Sequence, residues 1–256
     1  MSAGRLGLVV SVLVVSATTG TGLSLVASDV GDVGAVGAEA IVVAAAPAVP
    51  PPSVAAPSAP VVLGEVTPRP DPLQGWAVQQ AGLTGIPVPV LRAYGRTELR
   101  LAVERPGCRL GWTTLAGIGE VESDHGRYAG RVVREDGRPD RPVVGVALDG
   151  VGVARVGDTD GGVLDGDARL DRAVGPMQLL PATWRRWRAD GDDDGVSDPQ
   201  DVDDAALAAG RYLCATGPMG SDAGWRAAVL AYNDSSAYLS EVAAWAGAYS
   251  RASLGS

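Results

Sequence analysis

The sequence predicts a mainly α domain interrupted by one small β- and loop-rich insert, and three observations carry that expectation. Beyond about residue 73, stretches rich in Ala, Leu and Trp are bracketed by residues that start and stop helices. Residues 127–172 break this pattern with short Val-rich runs between Gly/Asp clusters, as a small hairpin and loops require. The first 72 residues show no pattern that could build a core.

In chain order, residues 6–16 (LGLVVSVLVVS) are apolar, follow Arg5 and lead into small residues. A basic start, an apolar centre and a small-residue exit are the layout of a secretory signal, so 1–27 is expected to be a signal peptide or, if uncleaved, an N-terminal membrane tether. Residues 28–72, including AAAPAVPPPSVAAPSAP, are low in complexity. Proline blocks both helix and sheet there, which predicts an extended, disordered linker. The expected localisation is extracytoplasmic, secreted or held at the cell envelope.

The folded tract is expected over 73–256. PVPVLRAYGRTELRLAVE (87–104) begins with prolines, which a first helical turn tolerates. GWTTLAGIGEVESD (111–124) is a second helix, and PATWRRWRAD (181–190) a short third. DDAALAAGRYLCAT (203–216) starts on Asp and stops at Gly217-Pro218. Ser221 caps DAGWRAAVLAYN, and Ser235 or Ser236 caps AYLSEVAAWAGAY.

Formal net charge is -9, and all 21 basic residues are arginines scattered along the chain, which argues against nucleic acid as a partner. Cys108 and Cys214 are the two cysteines. In an exported protein they most simply pair, closing a long loop; the alternative is two buried thiols.

The segment GIGEVESDHG (117–126) holds the chemistry-bearing side chains. At 100° per residue, Glu122 lies one turn past Ile118 and two past Leu115, on an apolar arc that faces a core or cleft wall. Glu120 is rotated about 160° from it, towards the side expected to be solvated. With Gly126 ending the helix, Glu122 meets the negative end of the dipole and loses water, and both effects favour its protonated form. His125, the one histidine, is expected to meet free carbonyls at the helix end. A metal site on Glu120, Glu122 and His125 is disfavoured by the opposed directions of the two carboxylates.

VESDHG, AVGPMQLLPATW (173–184) and AVLAYNDS (228–235) form an ordered set that resembles the lytic murein transglycosylases of the membrane-bound B type found in actinobacteria. The resemblance spans roughly residues 86–252. It implies a lysozyme-like, goose-type helical fold acting on peptidoglycan glycan strands. It also implies that Glu122 is the acid/base, that Ser123, Met177 and Gln178 line the sugar cleft, and that Tyr232 and Asn233 face the same carboxyl group. The wider clan often has Gly-Leu-Met-Gln where this chain has Gly175-Pro176-Met177-Gln178. Such an enzyme needs no cofactor for its chemistry, and a monomer is expected.

DGDDDGVSDPQD (190–201) fits a calcium loop with Asp190, Asp192, Asp194, the Val196 carbonyl, Asp198 and Asp201 as ligands and Gly195 at the turn. Asp201 replaces the usual Glu and shortens the reach. A structural Ca²⁺ is expected, the alternative being a solvated acidic turn. DTDGGVLDGD (158–167) lacks that register and is expected to be loop. Two other functions compete with the leading one: a muramidase in which Asp124 or an insert aspartate activates water, and a glycan-binding module without catalysis.

Overall fold

Helices dominate the computed structural model, which describes residues 71–255. The expected leader (1–27) and the expected linker (28–72), apart from Asp71 and Pro72, lie outside the described residues. In chain order the helices are α1 (Gln74–Thr84), α2 (Val88–Glu104), α3 (Trp112–Ser123), α4 (Pro181–Trp187), α5 (Val202–Cys214), α6 (Asp222–Tyr232) and α7 (Ser236–Leu254). The start signals act as their chemistry dictates. Pro89 in α2 and Pro181 in α4 occupy first-turn positions. Ser221 accepts a hydrogen bond from the Gly224 N–H, and Ser235 one from that of Tyr238. Helix α5 begins a residue earlier than its first Asp-Asp pair suggests, because Asp201 is the cap and its carboxylate accepts the Asp203 N–H.

α5 is the central helix. Every residue from Val202 to Gly210 is buried, the first-turn carboxylates Asp203 and Asp204 included, which marks a core position. α2 packs along it, and α3 packs against α7. The α3–α7 crossing is tight because residue 117 is glycine: a Cβ there would stand 2.8 Å from the Val242 carbonyl oxygen and 3.1 Å from the Ala246 nitrogen. Cys108, just past α2, and Cys214, at the end of α5, form a disulfide across a sequence separation of 106. A loop of that length removes about 4 to 5 kcal/mol of unfolded-state entropy in the chain-closure picture.

The insert departs from expectation. No strand forms among the described residues, and the hairpin reduces to isolated bridges such as Asp149–Arg155 and Gly157–Leu170. Only some of its valines are buried: Val133 and Val143 are, whereas Val146, Val151 and Val163 are exposed. Aspartates take over the backbone instead, as where Asp158 accepts from the N–H groups of Asp160, Gly161 and Gly162. No helix of the described residues is long and apolar enough to cross a membrane.

Candidate active site

α3 ends in a left-handed turn that arranges the site. The His125 N–H bonds the Gly119 carbonyl and the Asp124 N–H that of Glu120. Asp124 (φ 51°) rather than Gly126 is the first left-handed residue, followed by His125 (φ 57°) and Gly126 (φ 85°). Each of the two non-glycine residues costs about 1 to 2 kcal/mol in that conformation, so the surroundings must hold them there.

What holds them is a buried polar chain. Rather than meeting free carbonyls, His125 is wholly buried, with Nδ1 3.1 Å from the Tyr94 hydroxyl and Nε2 3.0 Å from that of Tyr249. Tyr249 donates to Glu120 Oε2 at 2.8 Å, and His125 Nε2 lies 3.1 Å from the same oxygen. With the Tyr249 proton committed to Glu120, the network is satisfied by the tautomer that carries its proton on Nε2 and accepts from Tyr94 at Nδ1. Gly119 makes room for this, since a Cβ at that position would collide with the Tyr94 hydroxyl. Glu120 is therefore not on a solvated face: its side chain is 11 % exposed because Tyr249 covers it. Burial would raise its pKa, but the hydrogen bonds from His125 and Tyr249 and the Arg127 charge outweigh this and hold the carboxyl below its ordinary range. Burial lowers the His125 pKa, against the pull of Glu120, so the imidazole is neutral.

Glu122 has the opposite environment. It is densely surrounded by protein yet keeps part of its surface open, and burial raises its pKa to about 8 against the lowering effect of one hydrogen bond. That bond comes from the Tyr238 hydroxyl, 2.7 Å from Oε1. Two carboxyls two residues apart are thus split at neutral pH, with Glu120 ionised and Glu122 holding its proton. Because Tyr238 donates to Oε1, the proton of Glu122 belongs on Oε2.

The three sequence motifs converge on one turn. Ser123 Oγ donates to the Pro176 carbonyl at 2.6 Å and accepts from the Gly126 N–H, while the Tyr232 hydroxyl donates to the Met177 carbonyl at 2.6 Å. Gly175-Pro176-Met177-Gln178 is gripped from both sides. Gln178, at φ 46°, folds its amide back onto the Gly175 carbonyl at 2.9 Å and stays partly exposed. Ser123, Met177, Tyr232 and Asn233 are buried, so their side chains are not open to solvent as cleft-lining groups would be. The Met177 sulfur contacts the Tyr94 hydroxyl at 3.9 Å, which ties the turn to the His125 chain. Burial first, and then the Glu122 charge, hold the Tyr232 phenol well above its ordinary pKa, and its hydroxyl bonds the Met177 carbonyl. Asn233 is 2 % exposed and its Oδ1 has no partner among the described residues. Tyr238 is the residue that sequence reasoning missed. Its signal was there: Ser235 caps α7 and so places a phenol in a first turn whose neighbours carry no comparable group.

Asp124 turns away from this chemistry, bonding Arg127 at 2.6 Å. The acidic loop also differs from its expected register. Carboxylate oxygens of Asp190, Asp192 and Asp204 lie within 4.8 Å of one another. Asp194, Asp198 and Asp201 instead face the Arg138 guanidinium, at 3.9, 3.3 and 3.4 Å. A single arginine from the insert draws three of the expected ligands towards itself, Val196 is exposed, and Asp204, in the first turn of α5, joins Asp190 and Asp192. Burial lifts the Asp204 pKa to about 7 in spite of its bonds from the Asp198 and Gly191 N–H groups.

Comparison with known proteins adds no relative. No family model matches the sequence, and neither curated proteins nor solved structures yield a match.

Proposed function

We propose that the protein is a peptidoglycan lytic transglycosylase of lysozyme-like fold, exported to the cell envelope, with Glu122 as its single acid/base. The observation that carries this reading is a carboxyl held in protonated form next to Ser123, which bonds the turn on which the three motifs converge, with Tyr238 fixing its orientation. A proton donor of this kind is what cleavage of an unactivated acetal needs.

In the reaction, Glu122 Oε2 gives its proton to the oxygen joining N-acetylmuramic acid to N-acetylglucosamine. The bond from that oxygen to the muramyl anomeric carbon breaks, and the sugar's own acetamido group, or dipoles of the cleft, stabilise the cationic carbon. The muramyl 6-hydroxyl oxygen then bonds the anomeric carbon, and its proton returns to Glu122. The product is a 1,6-anhydro end, and no water is consumed. Gln178, whose residue stays partly exposed, supplies neutral hydrogen bonds to the polymer through its side-chain amide. Ordinary glycosidases use a second carboxylate. Asp124, the nearest in sequence, is committed to Arg127, which leaves the muramidase reading without its water activator there.

The disulfide supports an oxidising compartment. The acidic loop is proposed to take a structural Ca²⁺ through Asp190, Asp192 and Asp204, adding charge balance and no chemistry.

The deciding experiment is mass spectrometry of purified sacculi digested by the protein. Ends lacking the elements of water are expected, and Glu122→Gln should produce none. Reducing ends would convert the assignment to a hydrolase, and lysis by Glu122→Gln would remove Glu122 from it.

A further inference from the structure

A recess with a volume of about 670 Å³, the size of a small-molecule site, lies on the Glu120 side of α3. Glu120, Asp124, Arg127, Arg131, Trp245 and Tyr249 are among the residues that line it. Glu122 is not one of them. Part of the wall is the left-handed turn at Asp124 together with Ala129 (φ 57°) and Gly130 (φ 72°), backbone held in a conformation that the chain adopts only at a cost.

Subtracting the charges that are already paired leaves two. Asp124 and Arg127 neutralise each other at 2.6 Å. Glu120 is bonded through Oε2, by Tyr249 and neutral His125, and no described residue bonds its Oε1. Arg131 spends its guanidinium on the carbonyls of Pro142 and Tyr128, which orient it but leave its charge without a carboxylate among the described residues. One anion and one cation are thus preorganised in a recess walled by the stacked rings of Trp245 and Tyr249, 5.7 Å apart. A neutral sugar would leave both charges unanswered, at a cost. A ligand with an ammonium and a carboxylate answers both.

We infer that this recess binds a small zwitterion of the amino-acid or short-peptide class, its ammonium on Glu120, its carboxylate towards Arg131 and its apolar body against Trp245. The site is separate from Glu122 and does not depend on the glycan reaction. Two sources carry this chemistry, peptides of the cell wall and ordinary proteolytic peptides, and they differ in the hand of their residues.

Calorimetric titration of the full chain tests it, with the dipeptide Ala-Ala in both the all-L and all-D forms, its N-acetyl derivative and its C-terminal amide. One of the two dipeptides is expected to saturate, with D preference pointing to wall peptide and L preference to proteolytic peptide. Blocking either end should weaken binding on the order of ten-fold, the loss of one charge-assisted contact. Glu120→Gln should weaken the free dipeptide as much as N-acetylation does and leave the acetylated form unchanged. Arg131→Met should pair in the same way with the amide, and it stands by itself if Glu120→Gln does not fold. Glu122→Gln must bind as the parent does, so a failure of the glycan-cleaving assignment is distinguishable from a failure here. Equal affinity for free and blocked dipeptides, no saturation by either hand, or displacement by an N-acetylglucosamine tetramer in a manner lost on Trp245→Ala would overturn the inference.

Discussion

Glu120 and Glu122 stand on one helix two residues apart, yet each bonds a tyrosine at a different end of α7: Tyr249 for Glu120 and Tyr238 for Glu122. Those tyrosines are eleven positions, about three turns, apart on one face of that helix. α3 therefore crosses α7 between them, over Val242 and Ala246, and the crossing separates an ionised carboxyl from a protonated one. Burial costs the same kind of energy at both sites. The difference is the number of donors: Glu120 has two and a nearby arginine charge, Glu122 has one.

Tyr238→Phe isolates that single donor. The hydroxyl lowers the Glu122 pKa, so its loss should raise it further above about 8. The alkaline limb of the activity profile, where the acid loses its proton, should move upward. Activity near neutrality should fall by roughly ten-fold, because the carboxyl loses its orientation. A profile of sacculus-clearing rate against pH checks this; an alkaline limb that stays or moves down would contradict the assigned hydrogen bond.

The raised pKa also has a consequence that needs no substrate. A carboxyl whose pKa goes from 4.5 unfolded to about 8 folded keeps its proton in the native state while the unfolded chain has lost its own. Between those values the native state binds more protons, so stability is complete below the lower pKa and declines as pH rises through the window. Glu122→Gln removes the penalty. It should melt higher than the parent at pH 8, with the gap closing by pH 4. A variant that tracks the parent at every pH would show that Glu122 is solvated.

Much of this arrangement was legible in the chain, and its limits are physical. The apolar arc of Ile118 and Leu115 located Glu122 against protein, since helical periodicity fixes which side chains share a face. The same rule located Glu120 away from Glu122 but said nothing of what would cover it. Tyr249 does so, 129 residues later, and such a contact has no local signature. His125 escaped for the same reason, its partners Tyr94 and Tyr249 being 31 and 124 residues distant. Ser221 and Ser235 were readable because a cap acts within its own first turn. Helix α1 was not singled out; Ala77 and Gln80 are its only buried residues, too few to print a stripe. The insert's valines suggested strands, yet Val146 and Val151 are exposed, and the buried Val133 takes part only in an isolated bridge.

Gly117→Ala tests the crossing. The added methyl group would press on the Val242 carbonyl at 2.8 Å, a backbone atom with no rotamer to yield. Overpacking of this kind costs about 1 to 3 kcal/mol. The melting temperature should drop by several degrees, and clearing should fall with it, because parting α3 from α7 loosens Tyr238 on Glu122. Gly107→Ala, where a Cβ meets nothing within 4 Å, is the matched control and should leave both unchanged.

Calcium supplies the last test. Asp190, Asp192 and Asp204 bring three carboxylates to one point, while Asp194, Asp198 and Asp201 face Arg138 and Asp193 pairs with Arg100. A cation bound only by the folded chain stabilises it by about 2.7 kcal/mol at a hundred times its dissociation constant. For a domain of this size that is a rise of roughly 5 to 10 °C in melting temperature. Millimolar Ca²⁺ should produce the rise, excess chelator should reverse it, and Mg²⁺, which prefers a tighter octahedral shell, should do less. Asp192→Asn, on the exposed arm of the cluster, should blunt the response, whereas Asp193→Asn, whose carboxylate serves Arg100, should keep it. Identical melting with calcium and with chelator would leave the loop as an acidic turn paired only with Arg138 and Arg100.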